Sequence, residues 1–302
     1  MSAKACVVGV ALAVVGTASA TPANDPAANA ANLVFAKSVG TGDINISPKR
    51  VVFGPNGRGA TVYVFNRGTA PATYSIAVVD RAMMPDGRIE AIDDVNKNAA
   101  EASVAARVKS AKSLVIFTPR RVTLQPNESQ TIRLRALRPS NLALGEYRTH
   151  LTVTALPPED VGLTADAAAK PAAGQLVVRV VPVFSISIPL IVRQGAAEVR
   201  AALEAPRYAL ERAPNGQQKV AIVALELARL GANSVYGNIE VRRGIEVLGA
   251  VQGLAVYPEI ARRAVQIPLN KIPPSGTQLS VVLVDDDTQP GVELAKAVLT
   301  VP

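Results

Sequence analysis

A chain of 302 residues with one cysteine, one histidine and no tryptophan forgoes most of the side chains that carry out chemistry. The cysteine, Cys6, lies within the first twenty residues, so the chain beyond it can form neither a disulfide nor a thiolate metal site. A catalytic zinc centre takes three protein ligands, usually His or Cys, and those donors are missing. Nucleophilic catalysis of the Ser-His-Asp kind would depend on His150, which sits in the strand-like "YRTHLTV" with no G-x-S-x-G elbow anywhere. His150 therefore reads as a partly exposed strand residue. No glycine-rich loop is present to cradle a phosphate. The run Asp285-Asp286-Asp287 lacks the spaced oxygens and closing glutamate of a calcium loop, and "DDDTQPG" reads as a hairpin tip. Aromatics are scarce, at five Phe and six Tyr, and the basic residues are scattered, which argues against nucleic acid as a partner. The reading is a protein that is not an enzyme and needs no cofactor or metal.

What is present begins with "MSAKACVVGVALAVVGTASA": an early Lys4, an apolar centre and a small-residue ending at Ala18-Ser19-Ala20, the layout of a cleavable secretory signal. Residues 21–40, rich in Ala, Asn and Pro without a clean period, read as a flexible leader. The formal charge is +8, or +7 once Lys4 leaves with the signal, which fits a solvated basic surface on an exported protein. With 49% hydrophobic residues the chain can bury two cores of ordinary size.

Strand and turn signals dominate the rest. "INISPKRVVF", "ATVYVFNRG" and "ATYSIAVVD" read as extended segments punctuated by "GPNGRG" and by Asp86-Gly87. Residues 92–112 break the rhythm and read as a short helix or a surface loop. In "TIRLRAL", Ile132, Leu134 and Ala136 alternate with Thr131, Arg133 and Arg135, so one face is wet. An eighteen-residue loop runs from Pro157 to Gly174. A hinge falls near Arg193 to Gly195, and turn signals about every ten residues after it suggest a second all-β sandwich.

The segment "GQLVVRVVPVFSISIPLIVR" has no polar face: nine of the seventeen residues from Leu176 to Val192 are Val or Ile. A membrane helix is excluded by Pro182, Pro189 and Arg179, and the β-branched content favours one or two strands apolar on both faces. Such a strand is either buried between layers or exposed at an edge for a partner. Periodicity leaves both open, because Val177, Val181 and Val183 are as apolar as their neighbours.

The order of "ISPKRVVF", "FNRGTAPATYSIAV", "FTPRRVTLQPNESQTIRLRAL" and "GEYRTHLTVTALPP" resembles the periplasmic pilus-assembly chaperones, the PapD-like family of chaperone–usher systems. The match covers most of residues 44–193 and continues more weakly through "RLGANSVYGN" and "VYPEIARR". The resemblance implies an all-β, L-shaped protein of two immunoglobulin-like β-sandwich domains with a cleft between them, resident in the periplasm. It implies that the chain binds pilus, fimbrial or coat subunits by lending them an edge strand and delivers them to an outer-membrane usher. By register against the family, Leu176, Val178, Val180 and Pro182 form the outward face of that donor strand. Arg50 falls at the family's first-strand arginine, which holds the subunit's C-terminal carboxylate. The family's second anchor, a lysine, is replaced by Ser187, with Arg193 or Arg179 as substitutes that the motif does not carry over. Pro119 falls near a Thr-Pro step that can be cis. Arg229, Gly231, Ser234, Tyr236 and Gly237 resemble a turn signature of the second domain, with a folding role.

The implied organisation is signal 1–20, leader 21–40, N-terminal domain 41–193 and C-terminal domain 194–302, with no membrane span after signal removal. The alternative is a secreted structural or adhesive β-sandwich of the pilin or adhesin kind. That reading wants an N-terminal donor tail, and "ANAANLVFAKSV" alternates only briefly.

Overall fold

The computed structural model describes residues 34–35, 43–157, 177–178, 183–212 and 219–302. The signal, most of the leader, the greater part of the loop from Pro157 to Gly174, and Leu176, Arg179, Val180 and Pro182 lie outside the described residues. So do residues 213–218.

The first sandwich is built from β1 (Ile44–Ser47), β2 (Val51–Phe53), β3 (Gly59–Asn66), β4 (Ala72–Val79), β5 (Val115–Thr118), β6 (Arg121–Leu124), β7 (Ser129–Ala136), β8 (Gly145–Ala155) and β9 (Ser185–Gln194). One sheet has the order β1-β3-β7-β5 and the other β2-β9-β8-β4-β6. The first strand changes sheets: β1 pairs antiparallel with β3, and after the cis Ser47-Pro48 bond β2 joins the other sheet parallel to β9. The Thr118-Pro119 bond is also cis. Alternation fixes the core: Ile46, Val62, Val64, Ile132 and Leu134 point inward to meet Phe53, Tyr74, Leu151, Val153 and Leu190.

The second sandwich is built from β10 (Ala201–Arg212), β11 (Lys219–Arg229), β12 (Val235–Arg243), β13 (Glu246–Val256), β14 (Arg262–Pro268), β15 (Gln278–Asp285) and β16 (Glu293–Thr300). Its sheets run β10-β11-β14 and β13-β12-β15-β16. Both sandwiches are almost wholly β, as the strand and turn signals implied, and immunoglobulin-like, as the family resemblance implied. Two glycines of the turn signature are fixed by close approach. A Cβ on Gly231 would lie 2.3 Å from the Glu198 carbonyl oxygen, and one on Gly237 would lie 2.2 Å from that of Val284.

Of the two readings of residues 92–112, a short helix or a surface loop, the structure shows helix. A hairpin, Arg81–Met83 with Ile89–Ala91, turns at Gly87 and leads into α1 (Ile92–Val95) and α2 (Ala99–Ala105). Ala82, Met83, Met84, Val95, Val104 and Ala105 are buried with Leu225, Leu227, Val265 and Ile267 of the second sandwich. The insertion thus closes the second core, and its Ala-rich composition supplies small side chains for tight packing.

Val34–Phe35 pairs in parallel with Val177–Val178. No helix among the described residues is long and apolar enough to cross a membrane.

Candidate functional site

β8 is buried almost throughout, although it alternates polar and apolar residues. Its Leu151, Val153 and Ala155 enter the first core, while Glu146, Arg148 and His150 lie on the opposite face. Two of those, Glu146 and Arg148, bond to the second sandwich. A charged group loses its hydration on burial and is tolerated only with a partner of opposite charge or a full set of hydrogen bonds. The junction meets that demand with two ion-pair clusters.

In the first cluster, Arg193 near the end of β9 donates from Nε to Glu146 Oε2 at 3.0 Å and from Nη2 to Asp287 Oδ2 at 2.5 Å. Ser234 adds its backbone N–H and its hydroxyl to the same Glu146 oxygen, at 3.2 and 3.0 Å. Arg50, just before β2, donates from Nη2 to Asp287 Oδ2 at 3.0 Å, and its guanidinium lies over the Tyr236 ring, 4.3 Å from the centroid. Burial works against the charge on Arg193, but the Asp287 hydrogen bond and the charges of Glu146 and Asp287 outweigh it and hold its pKa above the ordinary arginine value. Asp287 is itself positioned by Asp285, whose carboxylate accepts from the N–H groups of Asp287 and Gln289 and from the Thr288 hydroxyl. The acidic run is therefore a turn whose last carboxylate pairs two arginines. The sequence alone reads the run as a hairpin tip and misses this pairing.

In the second cluster, Arg148 pairs with Glu259 and stacks on Tyr257, 3.8 Å from the ring centroid. Glu259 Oε1 also accepts the Met83 N–H at 2.8 Å, which ties the insertion to the junction. His150 differs from its expected exposure: it is 3% exposed, because the face of β8 that it occupies is covered. Desolvation, with Arg148 and Arg81 nearby, pushes its pKa well below the ordinary 6.5 and keeps the ring neutral.

Arg50 retains unused capacity. Its Nε and Nη1 are buried and have no hydrogen-bond partner among the described residues. Ser187 lies opposite Thr152 on the β8–β9 pair and bonds its hydroxyl at 2.7 Å. Among the described residues no hydrogen bond joins Ser187 to Arg50, and the basic group beside Arg50 is Arg193. Val178 belongs to the short parallel pair with the leader. Leu176, Val180 and Pro182 fall outside the described residues, so the outward face of the expected donor strand is not on view. Where the chain resumes, Val183 and Phe184 are exposed at 52% and 53%. Among the described residues, β9 from Ser185 to Pro189 has β8 on one side and no paired strand on the other, since β2 covers only Leu190 to Val192.

No family model matches the chain, and no curated protein does. Its fold is similar to solved structures of chaperones. The E. coli chaperone DraB matches at 15% identity and TM-score 0.42, over 90% of this chain and 100% of that one. The SafB chaperone structure with the SafA pilin of Salmonella enterica matches at 15% and 0.41, over 88% and 99%. The CsuC–CsuE chaperone–tip adhesion subunit pre-assembly complex of Acinetobacter baumannii matches at 15% and 0.42, over 84% and 98%. At identities this low, what the chain does has to come from its own residues.

Proposed function

We propose that this chain is a periplasmic chaperone that binds pilus, fimbrial or coat subunits by donor-strand complementation and hands them to an outer-membrane usher. The observation that carries the reading is Arg50, a buried guanidinium between two immunoglobulin-like sandwiches with Nε and Nη1 unpaired. Leaving buried donors unsatisfied costs about 1–3 kcal/mol each, so such a group is poised to gain an acceptor. Two adjacent N–H groups suit a carboxylate, which accepts two parallel hydrogen bonds. Asp287 supports the choice, because a carboxylate already rests against Arg50 and Arg193. A subunit's C-terminal carboxylate would enter beside Asp287 after a side-chain movement and take up the free donors. Arg193 would supply the second positive charge, Ser187 being engaged with Thr152.

From that anchor the subunit would extend along the unpaired edge of β9 toward residues 174–184. There an apolar segment would pair with it main chain to main chain and fill its open core at alternate positions. Leu176, Val178, Val180 and Pro182 are the residues assigned to that filling. An edge of this kind promotes aggregation unless something covers it, which is consistent with a chain meant to work in complexes. The test is co-expression with a pilus subunit from the same genome. Wild type should co-purify with the subunit one to one, and Val178→Asp or Val180→Asp should abolish recovery. Undiminished recovery with both variants would remove the donor-strand assignment.

A further inference from the structure

The outward face of the sheet β1-β3-β7-β5 has no part in the junction, and its residues are fixed by register. Across β3, β7 and β5, Thr61, Arg133 and Thr118 form one row, and Gly59, Arg135 and Ile116 form the next. Asn45, Ser47, Tyr63, Phe65, Ser129 and Thr131 complete the outward positions, so none of them is acidic. Arg133 and Arg135 are exposed, and among the described residues neither has a carboxylate or hydrogen-bond partner. Elsewhere the exposed Arg88, Arg200, Arg242 and Arg262 each hold a carboxylate at 2.6 to 2.8 Å. Beside the two free arginines, β5 ends the sheet with its outer main-chain edge unpaired among the described residues, and Ile116 on it is 52% exposed.

We propose that this edge and the two arginines together bind an extended protein segment that carries carboxylates at alternate positions. Arg133 and Arg135 are two residues apart on one strand face, a spacing of about 6.8 Å, the repeat between same-face side chains of any added strand. A segment paired to β5 would lie two strand spacings, roughly 9.6 Å, from β7, a gap that an arginine and a glutamate side chain span together. Ile116 would meet an apolar or threonine side chain between them. Guanidinium groups select carboxylates through paired donors, and the absence of acid on the face removes any internal competitor. A flat anionic membrane fits less well, because Tyr63 and Ile116 sit on opposite sides of β7 and give no continuous apolar patch to insert. The surface is separate from the junction and does not depend on the chaperone reading.

The test is fluorescence anisotropy of the full-length secreted chain with three labelled nonapeptides: alternating threonine and glutamate, the same with lysine for glutamate, and the glutamate peptide N-methylated at alternate residues. The glutamate peptide should bind, and the other two should bind at least tenfold more weakly. Arg133→Glu/Arg135→Glu should cost at least tenfold, and the milder Arg133→Gln/Arg135→Gln should weaken binding too, both with unchanged circular dichroism. Equal binding of the glutamate and lysine peptides, or indifference to both double variants, would overturn the proposal. So would sedimentation with phosphatidylglycerol vesicles that the charge reversal abolishes, in the absence of peptide binding.

Discussion

Arg50 and Arg193 donate to the same oxygen, Asp287 Oδ2, from Nη2 atoms 3.0 and 2.5 Å away. One arginine precedes the second strand of the first sandwich, the other lies near the end of its last strand, and the carboxylate belongs to a turn of the second. A single turn of the second sandwich therefore holds two neighbouring strands of the first.

Removing that carboxylate leaves buried positive charge without a partner. Asp287→Asn should destabilise the chain by about 3–5 kcal/mol, the range for breaking a buried pair. Adding Arg50→Met should recover part of the loss. Urea unfolding of the two single variants and the double variant checks this, and strictly additive losses would show that the two residues are not coupled.

Arg50→Lys keeps the charge and loses the planar fork. If Arg50 accepts a subunit's terminal carboxylate through Nε and Nη1, lysine should weaken capture at least tenfold, and alanine should weaken it further. Binding to an immobilised subunit measures it, and wild-type affinity in Arg50→Lys would exclude paired donation.

Gly237 should tolerate no side chain, since a Cβ would meet the Val284 carbonyl in the neighbouring strand. Gly237→Ala should cost about 1–3 kcal/mol through forced backbone shifts. Thermal unfolding reads it, against Gly276→Ala as a control of another kind: there the strain comes from a φ of +78° and not from crowding.

His150 couples stability to pH. Its folded pKa is depressed below the ordinary 6.5, so the unfolded chain binds the proton more readily. The contribution is fully present above 6.5, and stability falls as pH drops below it, toward the depressed folded value. In His150→Gln this part of the slope should vanish. Denaturation between pH 7.5 and pH 5 compares the two slopes, and identical ones would mean that His150 does not titrate on unfolding.

Strands were legible wherever one face is wet: the alternation of Ile132, Leu134 and Ala136 against Arg133 and Arg135 fixes both element and face. The same rule misjudged His150, because burial by elements distant in sequence leaves no trace in a strand's own period. The insertion was hidden for a related reason, since Ala82, Val104 and Ala105 pack against residues far away in sequence. Arg50 was singled out through family resemblance alone. Its neighbours Asp287 and Glu146 were not, as charge pairing across a junction has no local pattern.

If the chain holds a secreted subunit by its C-terminus, as proposed, a pull-down from a periplasmic extract should recover that subunit. Mass spectrometry would compare what stays bound to the wild-type chain with what stays bound to Arg50→Ala. The account predicts a small secreted β-rich protein with wild type and its loss with the variant. Nothing bound to either chain, or the same protein bound equally to both, would contradict it.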